Sequence, residues 1–352
     1  MGSTAMLAQE VRRGMEAALP GVRKTILRKL PLAVAAMIEA RTPNTSELAA
    51  VLPIAAERPD MREQWLRRLL KNRLIDPVTL MAPFARQALA EAAQGGQTLL
   101  LAMDQTDLGD RCAVLMVSVR VGGRSLPLVW QVEAGEANLG FGAQRVLLAQ
   151  ARDWLPAGAA VMLLADRFYP SADLFAWLKA AGWQYRLRLK RNLTVDVGRA
   201  DVTTTGDLAH GVTERYEAHA YLFAAGVPTA IGVVHEPGHK EPWIIAMDCR
   251  PSKAAVLDYG ARWGIEPTFS DFKTRGFCLE ETHLEDPARI GCLILIMTLA
   301  MYWCVWAGRE DAFTNPTPAE KKPGRRPTRS TGRFVRRTAA PSPGLNAACA
   351  CC

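Results

Sequence analysis

Apolar positions repeat at helical spacing through the first 95 residues of the chain. Between Val22 and Ile38 they recur every three or four residues, which is the period of one buried face of an α-helix. Prolines at positions 20, 31, 43 and 53 fall among these stretches, and proline commonly ends a helix. The pattern predicts an all-α region over residues 1–95, with a turn at each of these prolines.

The period changes at Thr98, where short apolar runs of strand length begin. Over residues 96–190 these runs and two amphipathic helices alternate in the order β, β, β, α, β, α, β. Two of the runs lead directly into an aspartate, Asp104 and Asp166. Because open α/β sheets place their sites at the carboxyl ends of strands, the pattern predicts two carboxylates at one sheet edge. The alternative is structural, since an Asp in this position commonly caps the next helix.

Residues 191–248 contain short β-rich runs that are linked by Gly, Pro and Thr turns. They predict a β insertion that does not continue the preceding sheet. Over residues 249–307 the pattern predicts one helix from Lys253 through Lys273 and then an apolar helix over 290–307. Residues 308–352 are rich in Pro, Arg and Lys and have no periodic core, which predicts a basic disordered tail.

The apolar run over 290–307 is long enough to reach the lower limit of a membrane span. A helix that is buried in a large core has the same composition, and no other segment supports a membrane protein. Five of the eight cysteines stand singly in apolar stretches, and the group at Cys349, Cys351 and Cys352 lacks a second ligand cluster for zinc, which fits a reduced, cytosolic protein. The sequence therefore favours a core helix and a protein without a membrane partner.

The net charge of +8 is distributed unevenly along the chain. Residues 1–95 carry +5 and residues 307–352 carry +6, whereas the residues between them carry −3. Basic terminal regions on both sides of an acidic central region suit a protein whose terminal regions bind a polyanion and whose central region binds cations. The simpler alternative is that basic terminal regions keep the protein soluble.

Four polar residues repeat along the helix that is predicted over 253–273. Tyr259, Arg262, Glu266 and Lys273 are separated by 3, 4 and 7 residues, so all four would lie on one side of an α-helix. An Arg–Glu pair four residues apart is common on helix surfaces. A whole stripe of this composition is not a core face, and with the two strand-end aspartates it forms the candidate site.

The spacing Y-x2-R-x3-E-x6-K resembles the signature of the YREK-bearing DDE transposases of bacterial insertion sequences. This group includes the cut-and-paste transposases of the composite kanamycin- and tetracycline-resistance transposons. Asp104 in the string AMDQT and Asp166 in the string LADRF lie in contexts like those of the family's two aspartates. The resemblance covers about residues 55–306, and the 100 residues between Asp166 and Glu266 leave room for the family's β insertion.

The resemblance implies an α/β fold with an RNase H-like catalytic core, in which Asp104, Asp166 and Glu266 bind the metal ions and catalyse the reaction. It also implies a set of DNA contacts from Tyr259, Arg262, Lys273, Arg188, Lys190 and Trp243. The first three would hold phosphates of the transposon end, and the tryptophan would stack on a flipped base. The alternative for Trp243 is an ordinary buried aromatic of a strand.

The chemistry of phosphodiester cleavage requires an activated water and a neutralised leaving oxygen. Two Mg²⁺ ions about 3.5–4 Å apart supply both, and such hard cations prefer carboxylate oxygens. The predicted cofactor is therefore two Mg²⁺ ions, for which Mn²⁺ can substitute.

The predicted partner is double-stranded DNA, both the element ends and the target, with a homodimer in the synaptic complex of a bacterial nucleoid. Arg67, Arg68 and Lys71 form a predicted basic helix face for DNA in the N-terminal region, although an ordinary solvated face has the same composition. Two other functions remain open at this point. One is a transposase-derived DNA-binding protein that has lost catalysis, and the other is an RNase H-fold nuclease without strand transfer.

Overall fold

The computed structural model describes residues 2–136, 138–198, 202–238 and 240–316. The N-terminal region consists of five helices: α1 (Ser3–Ala18), α2 (Lys24–Ala40), α3 (Thr45–Ala50), α4 (Pro59–Leu70) and α5 (Pro77–Ala92). Asn44 caps α3 by accepting from the Ser46 N–H, and Asp76 caps α5 by accepting from the Thr79 N–H. The described elements of this region are helical, and its assignment as a separate DNA-binding region stays a prediction.

The predicted turn at Pro31 is wrong, because α2 continues through it. A proline inside a helix removes one backbone hydrogen bond. In α2 both Leu30 and Pro31 are buried, together with most of the following turn. Burial of this apolar face offsets the lost hydrogen bond, and the local sequence does not reveal that burial.

Ten strands of the described residues form one sheet in the order β3-β2-β1-β4-β5-β10-β9-β8-β6-β7. The first five are β1 (Leu99–Leu108), β2 (Cys112–Val121), β3 (Arg124–Ala134), β4 (Val161–Ala165) and β5 (Gln184–Arg188). Helices α6 (Phe141–Asp153) and α7 (Ala172–Ala181) connect β3 to β4 and β4 to β5. The strand and helix order predicted for this region is confirmed, and β1, β4 and β5 run parallel to one another.

The remaining five strands come from residues 191–248, which the sequence predicted to form a β insertion outside this sheet. They are β6 (Thr194–Asp196), β7 (Val202–Thr204), β8 (Glu214–Leu222), β9 (Val227–Val234) and β10 (Trp243–Met247), with the short helix α8 (Thr205–Leu208) after β7. Strand β10 pairs antiparallel with β5, with Ile245 opposite Arg188, so the predicted separation of this segment is wrong. All five residues of β10 are buried, as in a central strand, and the pairing satisfies backbone groups that β5 would otherwise leave open at a sheet edge.

The segment after β10 is not the single helix that the sequence predicted. It comprises α9 (Lys253–Leu257), a 3₁₀ helix (Asp258–Gly264), α10 (Ile265–Ser270) and a π-helical turn (Asp271–Arg275). Pro267 has no N–H to donate to residue 263, which disfavours a continuous α-helix there. A side chain at Gly264 would also meet Ser125 Oγ at 3.1 Å, so this turn packs tightly on the β2–β3 hairpin.

Helix α11 (Pro287–Thr314) is the central helix of the core and extends beyond the predicted range 290–307. It packs against β3, α2 and α5, and residues Ile290 to Tyr302 are all buried. Within the described residues, α11 is the one helix that is long and apolar enough to cross a membrane. However, 78% of its most apolar stretch of 18 residues is buried inside the protein. The predicted disordered tail is wrong for residues 308–314, which are helical, and its part from residue 317 onward lies outside the described residues.

Candidate active site

Asp104 and Asp166 lie side by side because of the register of two parallel strands. The last paired residues of β1 and β4 are Met103 and Ala165, and each aspartate directly follows one of them. Asp166 follows the end of β4 as predicted. Asp104 does not end its strand, since β1 continues to Leu108 through its antiparallel pairing with β2.

Arg262 connects two of the three candidate carboxylates. Its Nη1 donates to Asp104 Oδ2 at 2.7 Å, and its Nη2 donates to Glu266 Oε1 at 2.8 Å. The Arg262 side chain is only 8% exposed, and its Nε has no hydrogen-bond partner among the described residues. Arg262 lies in the 3₁₀ helix and Glu266 lies in α10. The buried Arg262 guanidinium group therefore links Glu266 to Asp104 of β1.

Two tyrosines complete the contacts of the aspartates. Tyr259 donates its hydroxyl to Asp166 Oδ1 at 3.3 Å, and Tyr169 donates its hydroxyl to Asp104 Oδ1 at 3.3 Å. Burial raises the pKa of both tyrosines, so both remain protonated donors at neutral pH. Sequence reasoning missed Tyr169, although its place three residues after Asp166 was a signal.

Burial also raises the pKa of Asp104, against the opposing effect of the Arg262 cation. The Asp104 side chain is 18% exposed and that of Asp166 is 21% exposed, whereas the Glu266 side chain is 55% exposed. Two largely buried carboxylates are thus held near each other, and a cation between them is electrostatically favoured.

Lys273, the fourth residue of the predicted stripe, lies in a different helical segment from the other three. It belongs to the π-helical turn, and its Nζ lies 3.5 Å from Glu280 Oε1. The prediction that all four residues lie on one side assumed a uniform α-helix. The 3₁₀ and π-helical turns rotate successive side chains by different angles, so that assumption does not hold here. Arg262 and Glu266 remain neighbours across four residues despite this change.

A basic surface adjoins Asp166 on the side of β5. Arg188 Nη1 lies 4.0 Å from Asp166 Oδ1, and Lys190 Nζ lies 4.9 Å above the ring of Phe168. Arg167 and Arg188 both contact Glu241, at 3.2 and 3.5 Å. Sequence reasoning selected Arg188 and Lys190, but it missed Arg167 and Glu241.

Trp243 is buried rather than open to solvent. It is 9% exposed, and edge-on ring contacts join it to Tyr259 at 5.4 Å and to Trp263 at 5.2 Å between centroids. Trp263 follows Arg262 directly and is 43% exposed. The aromatic face that solvent reaches here therefore belongs largely to Trp263, which the sequence did not single out.

The predicted basic face lies on α4 in the N-terminal region. Arg67 and Arg68 are exposed in its last turn, Lys71 follows the end of the helix, and Leu66 and Leu69 bury the opposite side. Arg67 also pairs with Glu63 at 2.9 Å. Basic residues in a last turn also stabilise the helix dipole, so this position alone does not assign them to DNA.

The site combines carboxylates, a buried guanidinium group and exposed cations at one edge of an α/β sheet, which suits an enzyme that acts on phosphodiesters. Residues 94–303 match the family described as the transposase DDE domain, and the chain belongs to this family. It is therefore a DNA transposase, an enzyme that cleaves DNA and transfers DNA strands. The DDE domain of this family implies an RNase H-like core and the use of divalent metal ions.

A search of curated protein sequences found no match. Among solved structures, the Argonaute of Marinitoga piezophila in complex with a 5′ OH guide RNA and target DNA is similar at 8% identity with a TM-score of 0.24. The similarity covers 64% of this chain and 34% of the Argonaute chain, and at this level it says nothing about function.

Proposed function

We propose that this transposase excises and inserts a bacterial insertion sequence by a cut-and-paste route, with Asp104, Asp166 and Glu266 as its metal-binding carboxylates. The observation that carries the proposal is the double contact of Arg262, which joins Asp104 to Glu266 next to Asp166. These residues come from β1, the end of β4 and α10, which only the tertiary structure brings together. The YREK resemblance of the sequence supports the cut-and-paste subtype.

The donor chemistry of these residues fits Mg²⁺, with Mn²⁺ as a substitute. All three side chains offer carboxylate oxygens, which hard divalent cations prefer. No group of three or more His, Cys, Asp or Glu residues is close enough to hold a metal ion within the described part of the chain. The Arg262 guanidinium lies between two of the carboxylates and supplies positive charge there. Two bound Mg²⁺ ions would lower the pKa of the attacking water and neutralise the leaving oxygen.

The protein's own groups would position the DNA backbone at this site. Arg262 offers a planar set of N–H donors that suits a phosphate, and Tyr259 adds a protonated hydroxyl. Lys273 is proposed to hold a further phosphate of the transposon end, which would compete with its pair to Glu280. The direct test is incubation of the protein with DNA that carries the element's ends, with Mg²⁺, with Mn²⁺ and with neither. Breaks at the ends that require the metal support the proposal, and their absence under all three conditions rejects it.

We further propose that the parts of the chain divide the work. Residues 1–95 recognise DNA, residues 96–190 and 249–307 form the catalytic core, residues 191–248 are an inserted β segment that extends the sheet of this core, and residues 308–352 are a basic tail. A homodimer would hold the two element ends in a synaptic complex in the bacterial cytoplasm, at the nucleoid. The acidic centre and the basic N-terminal region support this division.

The basic face of α4 provides a test of DNA recognition. We expect Arg68→Gln to weaken binding to DNA of any sequence and to lower the log–log salt slope by about one unit, because one phosphate contact is lost. The matched control is Arg58→Gln, an exposed residue at the other end of the same helix. Fluorescence anisotropy over a salt series measures both quantities, and equal slopes for the two variants would contradict the assignment.

The hairpin route assigns a role to the aromatic pair beside the site. In this route the freed 3′-OH attacks the opposite strand, and water then reopens the resulting hairpin. The sharp bend unstacks a terminal base, and an aromatic platform stabilises such a base by about 1–3 kcal/mol. Trp243 was the predicted platform, but its exposed neighbour Trp263 presents more ring surface to solvent.

We therefore expect Trp243→Ala and Trp263→Ala each to spare the first nick and to slow hairpin formation by roughly 10- to 100-fold. Trp263→Ala is the cleaner test, because removal of an exposed ring leaves the core intact. The measurement is a denaturing gel of pre-nicked element ends. Phe313→Ala removes an exposed ring of α11 and serves as the control. Hairpins formed at the wild-type rate by both Trp variants would remove these residues from the step.

A further inference from the structure

Two arginines beside Asp166 share one carboxylate oxygen. Arg167 directly follows Asp166, and Arg188 is the last residue of β5. Arg167 Nη1 donates to Glu241 Oε2 at 3.2 Å, and Arg188 Nη2 donates to the same oxygen at 3.5 Å. A single oxygen of Glu241 thus lies between two guanidinium groups at the edge of the candidate active site.

Both of these contacts are longer than a strong charge-assisted hydrogen bond, for which N···O is about 2.7–2.9 Å. The Glu241 side chain is 43% exposed and belongs to the connection between β9 and β10, outside either strand. An ion pair with this much solvent contact contributes little to stability. A phosphodiester carries the same charge and offers two free oxygens, so it can engage both guanidinium groups at shorter distances.

The surface around Arg167 and Arg188 has the composition of a nucleic-acid-binding surface. Lys190 lies over the ring of Phe168, which is 59% exposed, next to Arg167. Cations beside an exposed aromatic ring are typical of surfaces that bind a DNA strand. Glu241 adds the opposite charge to this surface, and its carboxylate occupies the point where the two arginines converge.

We propose that Arg167 and Arg188 form a phosphodiester-binding subsite next to Asp166, and that Glu241 occupies this subsite in the DNA-free protein. DNA that enters the site displaces the Glu241 carboxylate and takes over both arginines. Glu241 therefore lowers the affinity of the site for DNA backbone. This inference rests on the proposed function for the placement of DNA, and it adds Arg167 as a contact and Glu241 as its internal competitor.

The test is the affinity of the Glu241→Gln protein for a duplex that carries an element end, measured by fluorescence anisotropy in EDTA. We expect binding about 2- to 5-fold tighter than wild type at low salt, which is the range for release of a solvent-exposed ion pair. We also expect a log–log salt slope that is steeper by up to about one unit, because the freed arginines contact phosphate. Arg167→Gln in the Glu241→Gln background should remove the gain.

The matched control is Glu214→Gln, which makes the same change in net charge on β8, where Glu214 pairs with Lys253. Binding by Glu241→Gln at or below the wild-type affinity would overturn the proposal, as would an equal gain in the Glu214→Gln control. Cleavage by the wild-type protein in Mg²⁺ is measured in parallel. A gain in affinity without any wild-type cleavage would reject the catalytic proposal and leave the subsite in place.

Discussion

The Asp166→Asn protein should bind element-end DNA and fail to cut it. The asparagine keeps the size of the side chain and an oxygen that can accept from Tyr259, but it lacks the charge that a divalent cation requires. Loss of several kcal/mol of transition-state stabilisation corresponds to a fall in the cleavage rate of about 10³-fold or more. Asp104→Asn and Glu266→Gln should show the same separation of binding from cleavage.

Gel assays of strand cleavage and anisotropy measurements of binding test this expectation together. Mg²⁺ and Mn²⁺ should support cleavage, and Ca²⁺ should support binding alone. Asp110→Asn, in the exposed turn between β1 and β2, controls for the loss of one negative charge and should cut at the wild-type rate. Full cleavage by the Asp166→Asn protein would show that this carboxylate is not part of the reaction.

Arg262→Met should be the most destabilising single change at the site. It leaves the buried Asp104 carboxylate without its cation, and removal of one partner from a buried ion pair typically costs about 3–5 kcal/mol. Asp104→Asn in the same protein should recover part of this loss, because no uncompensated charge then remains. The measurement is the free energy of unfolding in urea for the four proteins of the cycle.

Arg67→Met provides the comparison on the surface, since Arg67 pairs with Glu63 at an exposed position of α4. Its effect should stay below about 1 kcal/mol. If Arg262→Met cost no more than Arg67→Met, or if Asp104→Asn recovered nothing, Arg262 would not be the charge partner of Asp104.

The sequence identified the candidate carboxylates because each lies in a strong local pattern. An apolar run before Asp104 and another before Asp166 predicted two neighbouring buried strands, and the register of β1 and β4 agrees with that prediction. The spacing of Tyr259, Arg262, Glu266 and Lys273 predicted one polar side of a single helix. Arg262 does contact Glu266, although the segment is not a single helix. Patterns of this kind are local, since they depend on periods of two or about 3.6 residues.

The number of strands in the sheet and the burial of the aromatic residues could not be predicted in the same way. The pairing of β10 with β5 joins residues that are more than 50 positions apart, and no local period records such a pairing. Trp243 was selected by resemblance, but its burial depends on Tyr259 and Trp263, which a different segment supplies. The segment after Leu257 also packs closely on the β2–β3 hairpin at Gly264, and no local period records that contact.

The sequence by itself therefore determined the order of the elements, the carboxylates at the strands and the family that they indicate. The tertiary structure decided that the β segment continues the sheet, that Arg262 lies between Asp104 and Glu266, and that Glu241 lies between Arg167 and Arg188. The physical reason is that strand periodicity and helix spacing are properties of neighbouring residues. Ion pairs between distant segments depend on which surfaces meet when the core is buried.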